Sequence, residues 1–139
     1  MSSLVLDASV VVKWFIPERH SEAARRLLGQ PDEYVAPDLL FAEAANAVWK
    51  KVRRGELDGR AAAALVSDIC RSAVEAVPSR ALAADAYAIA AATGRTVYDG
   101  LYLALAARLK TRLVTADERL FNALRSHRVF GTVVRWVED

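Results

Sequence analysis

The feature that most constrains this chain is an alternation. Short runs of β-branched and aliphatic residues are each followed by a longer Ala/Leu-rich stretch of helical period. "LVLD" (4–7), "EYVAP" (33–37), "VEAV" (74–77), "RLVTAD" (112–117) and "TVVRWV" (132–137) read as strands, the last as an edge strand. Helices are predicted over 8–15, 20–28, 38–54, 58–72 and 81–93, then over "GLYLALAARLK" and "ERLFNALRS". Pro17 separates the first two, Gly29, Gly55 and Gly94 close three of them, and Asp38 is the expected acidic cap of the third. "TVYD" (96–99) reads as a short extended lead-in. Strands alternating with helices predict an α/β fold with a central, mainly parallel sheet flanked by helices. No repeat or low-complexity linker interrupts the pattern, so one domain over residues 1–139 is expected.

In parallel sheets of this kind, ligands bind beyond the carboxyl ends of the strands. The residues that follow each strand are therefore the ones to inspect. Asp7 follows "LVL", Asp117 follows "LVTA", and Asp99 follows the "TVY" lead-in. Each alone is explained equally by helix capping. Glu43 differs, because it sits inside a helical stretch among Leu40, Phe41, Ala42, Ala44 and Ala45, with Asn46 and Lys50 on its own face at i+3 and i+7. It belongs either to a solvated stripe or to a site. Four converging carboxylates would repel one another, and a divalent cation relieves that repulsion. With no Cys or His near any of the acids, a hard ion such as Mg²⁺ or Mn²⁺ suits the set. Ser9 and Thr115 stand two residues from Asp7 and Asp117, placed to bind a metal-bound water or to close a turn.

Other chemistries lack their residues. Cys70 is the one cysteine, which excludes an intramolecular disulfide and a thiolate cluster; it is read as a small buried helix residue. His20 and His127 are the two histidines, both expected at the surface. No phosphate-binding glycine loop and no G-x-S-x-G elbow occurs. No segment resembles a leader or a membrane span, so a soluble cytoplasmic protein is expected. Nineteen basic against 17 acidic side chains leave a net charge of +2, too small to mark a nucleic-acid binder by itself. "KKVRRG" (50–55) concentrates cations at a helix end, where they meet either phosphates or the helix dipole. Trp14 and Phe15 are read as core or partner-groove residues.

In order and spacing these segments resemble the PIN-domain ribonucleases, and among them the VapC toxins of toxin–antitoxin pairs. "LVLDASVVVKWF" resembles the family's first motif (Asp7, Ser9), "APDLLFAEAANAVWK" the second (Glu43, Asn46), "TVYDGLYLALA" the third (Asp99) and "LVTADERLFNAL" the fourth (Thr115, Asp117). The resemblance implies a PIN-like α/β/α sandwich with the acids at one sheet edge. It implies Mg²⁺- or Mn²⁺-dependent cleavage of RNA at one phosphodiester, a homodimer, and inhibition by a VapB-type antitoxin. Asp7, Asp99 and Asp117 then hold the ion, and Glu43 acts as a further ligand or as the base for the attacking water. Asn46 is expected to hydrogen-bond a site carboxylate, and Lys13, Lys50, Lys51, Arg53 and Arg54 to carry RNA phosphates.

Rival readings make different demands. A phosphomonoesterase using Asp7 as nucleophile commonly needs a second acid two residues on, where this chain has Ser9. A receiver-like phosphoacceptor module needs an acidic pair near the N-terminus. A housekeeping PIN nuclease without an antitoxin, and a catalytically silent PIN fold that only binds a partner, share all four motifs.

Overall fold

The computed structural model describes residues 2–30 and 32–139. Its strands are β1 (Ser3–Leu6), β2 (Glu33–Pro37), β3 (Val74–Val77), β4 (Leu113–Thr115) and β5 (Val134–Trp136). Its helices are α1 (Ala8–Phe15), α2 (Ser21–Arg26), α3 (Leu39–Arg53), α4 (Gly59–Cys70), α5 (Ser79–Thr93), α6 (Val97–Leu109) and α7 (Glu118–Leu124). Short 3₁₀ turns follow α2 and precede β5.

The sheet runs β3-β2-β1-β4-β5 with every pairing parallel. Val5 and Leu6 on β1 are completely buried, as a central strand covered on both faces requires. Because parallel crossovers are right-handed, the chain lays α1 to α4 on one face while stepping outward to β3; α6 then covers the other, with α5 packed on its outer side, and α7 joins β4 to β5. Strand order reverses between β1 and β4, which are direct neighbours in register Val5↔Leu113 and Leu6↔Val114. That reversal opens a crevice at the carboxyl ends of these two strands. The loops leaving them carry Asp7 and Asp117.

α6 is apolar all round, and Gly100 to Ala106 are all buried, because the helix is sandwiched between the sheet and α5. Gly100 is where α5 comes closest: a Cβ there would drive into the Ala86 carbonyl group.

Several expectations need correction. "TVYD" is not extended beyond Thr96: the Thr96 side chain accepts from the Asp99 amide, so the helix already starts at Val97. Asp99 therefore lies in the first turn of a helix that no strand precedes. Asp38 makes no cap to α3; its Oδ1 accepts from the Ser79 amide and hydroxyl, tying the start of α3 to the start of α5. Cys70 is exposed, because it ends α4 and the buried position there belongs to Ile69. His20 is not a surface residue: its side chain is only 15% exposed, wedged against Trp136 and bonded through Nδ1 to Glu138. His127 is half-buried, its Nδ1 accepting from the amides of Val129 and Phe130. Trp14 and Phe15 pack against the core, and β5 is an edge strand as expected.

Candidate metal and nucleic-acid site

The loop after β1 turns sharply into α1, and Asp7 occupies the N-cap position without capping: its side chain accepts no bond from the helix amides. Instead Asp7 Oδ2 accepts from the Ser9 hydroxyl at 2.5 Å and the Thr115 hydroxyl at 3.0 Å. The two hydroxyls are themselves anchored. Ser9 Oγ accepts from the Ala116 amide and Thr115 Oγ1 from the Asp117 amide, each at 3.0 Å. Their bonds stitch the β1 loop to the β4 loop, so both serve to hold the carboxylate as well as to close the turn.

Two of the other acids arrive from helices and the third from the loop after β4. Glu43 Oε1, from α3, accepts from the Tyr102 hydroxyl of α6 at 2.5 Å. Asp99, in the first turn of α6, is paired through Oδ2 with Arg95, at 3.2 Å to Nε and 3.1 Å to Nη2. Asp117 does cap α7, its Oδ1 accepting from the amides of Arg119 and Leu120. Capping thus explains one oxygen of one acid. In all four carboxylates one oxygen is held by protein donors, while the second makes no hydrogen bond among the described residues.

These acids line one cleft of about 450 Å³, together with Ser9, Asn46, Lys50 and Arg54. Asn46 lines the cleft but bonds no carboxylate among the described residues, contrary to expectation; the held oxygen of Glu43 is bonded by Tyr102 instead. Lys13 and Lys51 also line it, yet both are committed to Glu18, at 3.0 and 2.6 Å. Lys50 and Arg54 are exposed on the same wall, whereas Arg53 is not part of the lining.

The electrostatics are those of crowded acids. Burial pushes the Asp7 carboxyl upward, Ser9 and Thr115 pull it back, and Asp117 and Asp99 push it up again. Burial likewise raises Glu43 against the Tyr102 bond, with Asp7 and Asp99 adding to the rise. Asp99 is raised by burial despite Arg95, with Asp117 contributing. Burial also lifts the Tyr102 hydroxyl far above its usual range, so it stays a donor. Glu18 is the opposite case: burial acts to raise it, but the Lys51 and Lys13 ammonium groups outweigh that and hold it below the usual range.

Among the described residues no three acidic, His or Cys side chains close a ready-made cage; Arg95 holds one oxygen of Asp99, and the amides at the start of α7 hold one of Asp117. The donor set still fits a hard divalent ion: the candidate ligating atoms are carboxylate oxygens, four are unengaged, and Asp7, Glu43 and Asp99 are each pushed upward by neighbouring acids. Sequence reasoning missed Tyr102, Arg95 and Glu18. Arg95 is legible at i−4 from Asp99, but Tyr102 reads as a core aromatic and Glu18 as loop charge.

The PIN domain family model matches residues 4–125. The chain belongs to the PIN-domain family. Ribonuclease VapC3 from Pyrobaculum aerophilum is 36% identical over 119 residues, covering 84% of this chain and 91% of the relative. Among solved PIN-like structures, PAE2754 from Pyrobaculum aerophilum superposes with a TM-score of 0.71 at 22% identity, over 99% of this chain and 85% of that one. A toxin–antitoxin complex from Klebsiella pneumoniae gives 0.60 at 15% identity, over 96% of both chains.

Proposed function

We propose that this chain is a Mg²⁺- or Mn²⁺-dependent endoribonuclease, built as one domain, that acts as the toxin of a toxin–antitoxin pair. The observation that carries the reading is the shared state of Asp7, Glu43, Asp99 and Asp117. Each has one oxygen held by protein and one unengaged, in a cleft with exposed Lys50 and Arg54 on its wall. The relative at 36% identity, Ribonuclease VapC3, supports the activity. The Klebsiella toxin–antitoxin complex is the precedent for a protein inhibitor. Exposed Trp49 and Tyr87 offer apolar surface to such a partner or to a second copy in a homodimer.

Asp7, Asp99 and Asp117 would hold the ion, with Asp7 and Asp99 as direct ligands. When bound, the ion offsets the charge that builds on the phosphoryl oxygens and acidifies the attacking water. Glu43 Oε2 takes the proton of that water, and its raised pKa makes it a stronger base than an ordinary carboxylate. Ser9 and Thr115 fix Asp7, and Tyr102 fixes Glu43, so neither has to be ordered during turnover. Lys50 and Arg54 bind RNA phosphates, while Lys13 and Lys51 neutralise Glu18 and keep it from repelling them. Neither histidine lines the cleft, so the products expected from water attack carry a 5′-phosphate and a 3′-hydroxyl.

The test is thermal unfolding of wild type and Asp99→Asn, first in EDTA and then with Mn²⁺ or Mg²⁺, followed by incubation with RNA. Wild type gains stability with metal and cleaves, and the mutant does neither. Absence of any metal response in wild type at millimolar ion overturns the reading.

A further inference from the structure

A second pocket, of about 360 Å³, is lined by Arg19, His20, Glu118, Phe121, Asn122, Arg125 and Trp136. It adjoins the acidic cleft at two points of the chain. Glu18 and Asp117 line the cleft, and their immediate neighbours Arg19 and Glu118 line the pocket. The backbone at Glu18–Arg19 and at Asp117–Glu118 therefore forms a rim that borders both spaces. Arg19 and Glu118 meet across that rim at 3.9 Å, both largely exposed.

The lining has the chemistry of a nucleotide. Phe121 and Trp136 offer half-buried aromatic surface, tilted at 44° with centroids 5.7 Å apart. Trp136 is braced edge-on by His20, also in the lining, with centroids 5.1 Å apart, so its ring is pre-set. The Arg125 guanidinium stands 5.7 Å from the Phe121 centroid and makes no ion pair among the described residues. Asn122 is exposed, with an amide that both donates and accepts. Aromatic faces stack on bases, arginine carries phosphate, and an amide reads a base edge. Glu118 is the one acid in the lining, and Arg19 balances it.

We propose that this pocket is a nucleotide subsite that seats a residue of single-stranded RNA flanking the scissile bond, and that it sets base preference there. The inference rests on the nuclease reading above. A strand leaving the cleft crosses the Arg19–Glu118 rim, packs its base against the half-buried Trp136 ring, places a phosphate at the Arg125 guanidinium that lies over Phe121, and presents its base edge to Asn122.

The experiment digests a randomised single-stranded RNA pool with Mn²⁺ and the full chain, as wild type, Asn122→Ala and Arg125→Ala, and sequences the cut ends. The salt dependence of KM is measured on one preferred oligonucleotide, and circular dichroism checks that both variants fold. Both substitutions are at exposed positions on α7 or just after it. Asn122→Ala is expected to flatten the base preference at one flanking position while kcat holds. Arg125→Ala is expected to raise KM with kcat held, and to lower the slope of log KM against log salt by about one. Wild-type cleavage with the same flanking preference and the same KM in both variants overturns the subsite and leaves the nuclease standing. If wild type cuts no member of the pool while Mn²⁺ stabilises it, the subsite for single strands is overturned. If wild type neither cuts nor responds to Mn²⁺, the nuclease reading itself fails.

Discussion

Tyr102 donates its hydroxyl to Glu43 Oε1 across 2.5 Å, joining α6 to α3 beneath the acidic cleft. The contact is set by two helices that share no sequence neighbourhood. Tyr102 is 1% exposed and its pKa is driven far up, so the hydroxyl remains a donor at any working pH. Tyr102→Phe removes that donor with little change in shape. Since the bond lowers the Glu43 pKa, its loss raises that carboxyl further. The expected outcome is a drop in kcat of about 10- to 100-fold, the usual scale for a partner that orients a site carboxylate. The acid limb of the pH–rate profile is expected to move to higher pH. A full pH–rate profile of wild type and mutant checks both, and an unmoved acid limb would mean that Glu43 is not the titrating base.

The metal-free protein is expected to lose stability as pH rises. Asp7, Glu43 and Asp99 all have folded pKa values above their ordinary 3.8, 4.5 and 3.8, so the folded state binds protons more tightly than the unfolded chain. Their contribution is therefore complete below those ordinary values and disappears as pH climbs through the raised ones. Glu18, lowered by Lys51 and Lys13, works in the other direction: its contribution is present above 4.5 and is lost as pH falls through its depressed value. Denaturant titrations in EDTA between about pH 4 and pH 8 should show wild type declining relative to Asp7→Asn. The amide oxygen still accepts from Ser9 and Thr115 while carrying no charge. Saturating Mn²⁺ should close the gap. Parallel curves for the two proteins in EDTA would show that Asp7 titrates normally.

Gly100→Ala is expected to be costly although it adds one methyl group to a helix. The new Cβ would lie within 3.1 Å of the Ala86 Cα and carbonyl carbon, closer than side chains tolerate, and the obstacle is backbone. α5 must move away from α6, and with it the contacts around Leu82 and Ala86, both completely buried. Overpacking of this kind costs about 1–3 kcal/mol. Thermal unfolding measures it, and a loss below the scatter between preparations would mean that α5 is free to slide.

The sheet was legible because its strands are short, β-branched and bounded, and because five of them alternate with helical periods. Asp7 and Asp117 were legible for the same reason: they follow β1 and β4, and those strands flank the reversal in sheet order. Glu43 stood out as an acid among core-type neighbours. What the sequence withheld depends on pairs far apart in the chain. Tyr102 lies 59 residues from Glu43, and Thr115 lies 108 from Asp7. His20 looks polar and exposed but is held inside by Trp136 and Glu138, from the other end of the chain. Asp38 illustrates the converse error. Local capping chemistry was a sound expectation there, but Ser79, 41 residues on, took the carboxylate instead.

Arg95 and a divalent cation compete for Asp99. The guanidinium holds Oδ2 through two nitrogens at 3.2 and 3.1 Å, and both side chains are mostly buried, at 27% and 22% exposed. In the absence of metal this pair counters burial and the Asp117 charge, both of which act to raise the Asp99 pKa. Arg95→Ala therefore removes a stabilising contact from the metal-free protein and a positive charge from beside the ion's ligand. The first effect lowers the unfolding temperature in EDTA. The second strengthens ion binding, by about fivefold if the pair contributes about 1 kcal/mol. Calorimetric titration with Mn²⁺ separates the two, because it reads affinity directly while unfolding in EDTA reads the apo fold. Weaker Mn²⁺ binding in Arg95→Ala would mean that Arg95 presents Asp99 to the metal rather than withholding it.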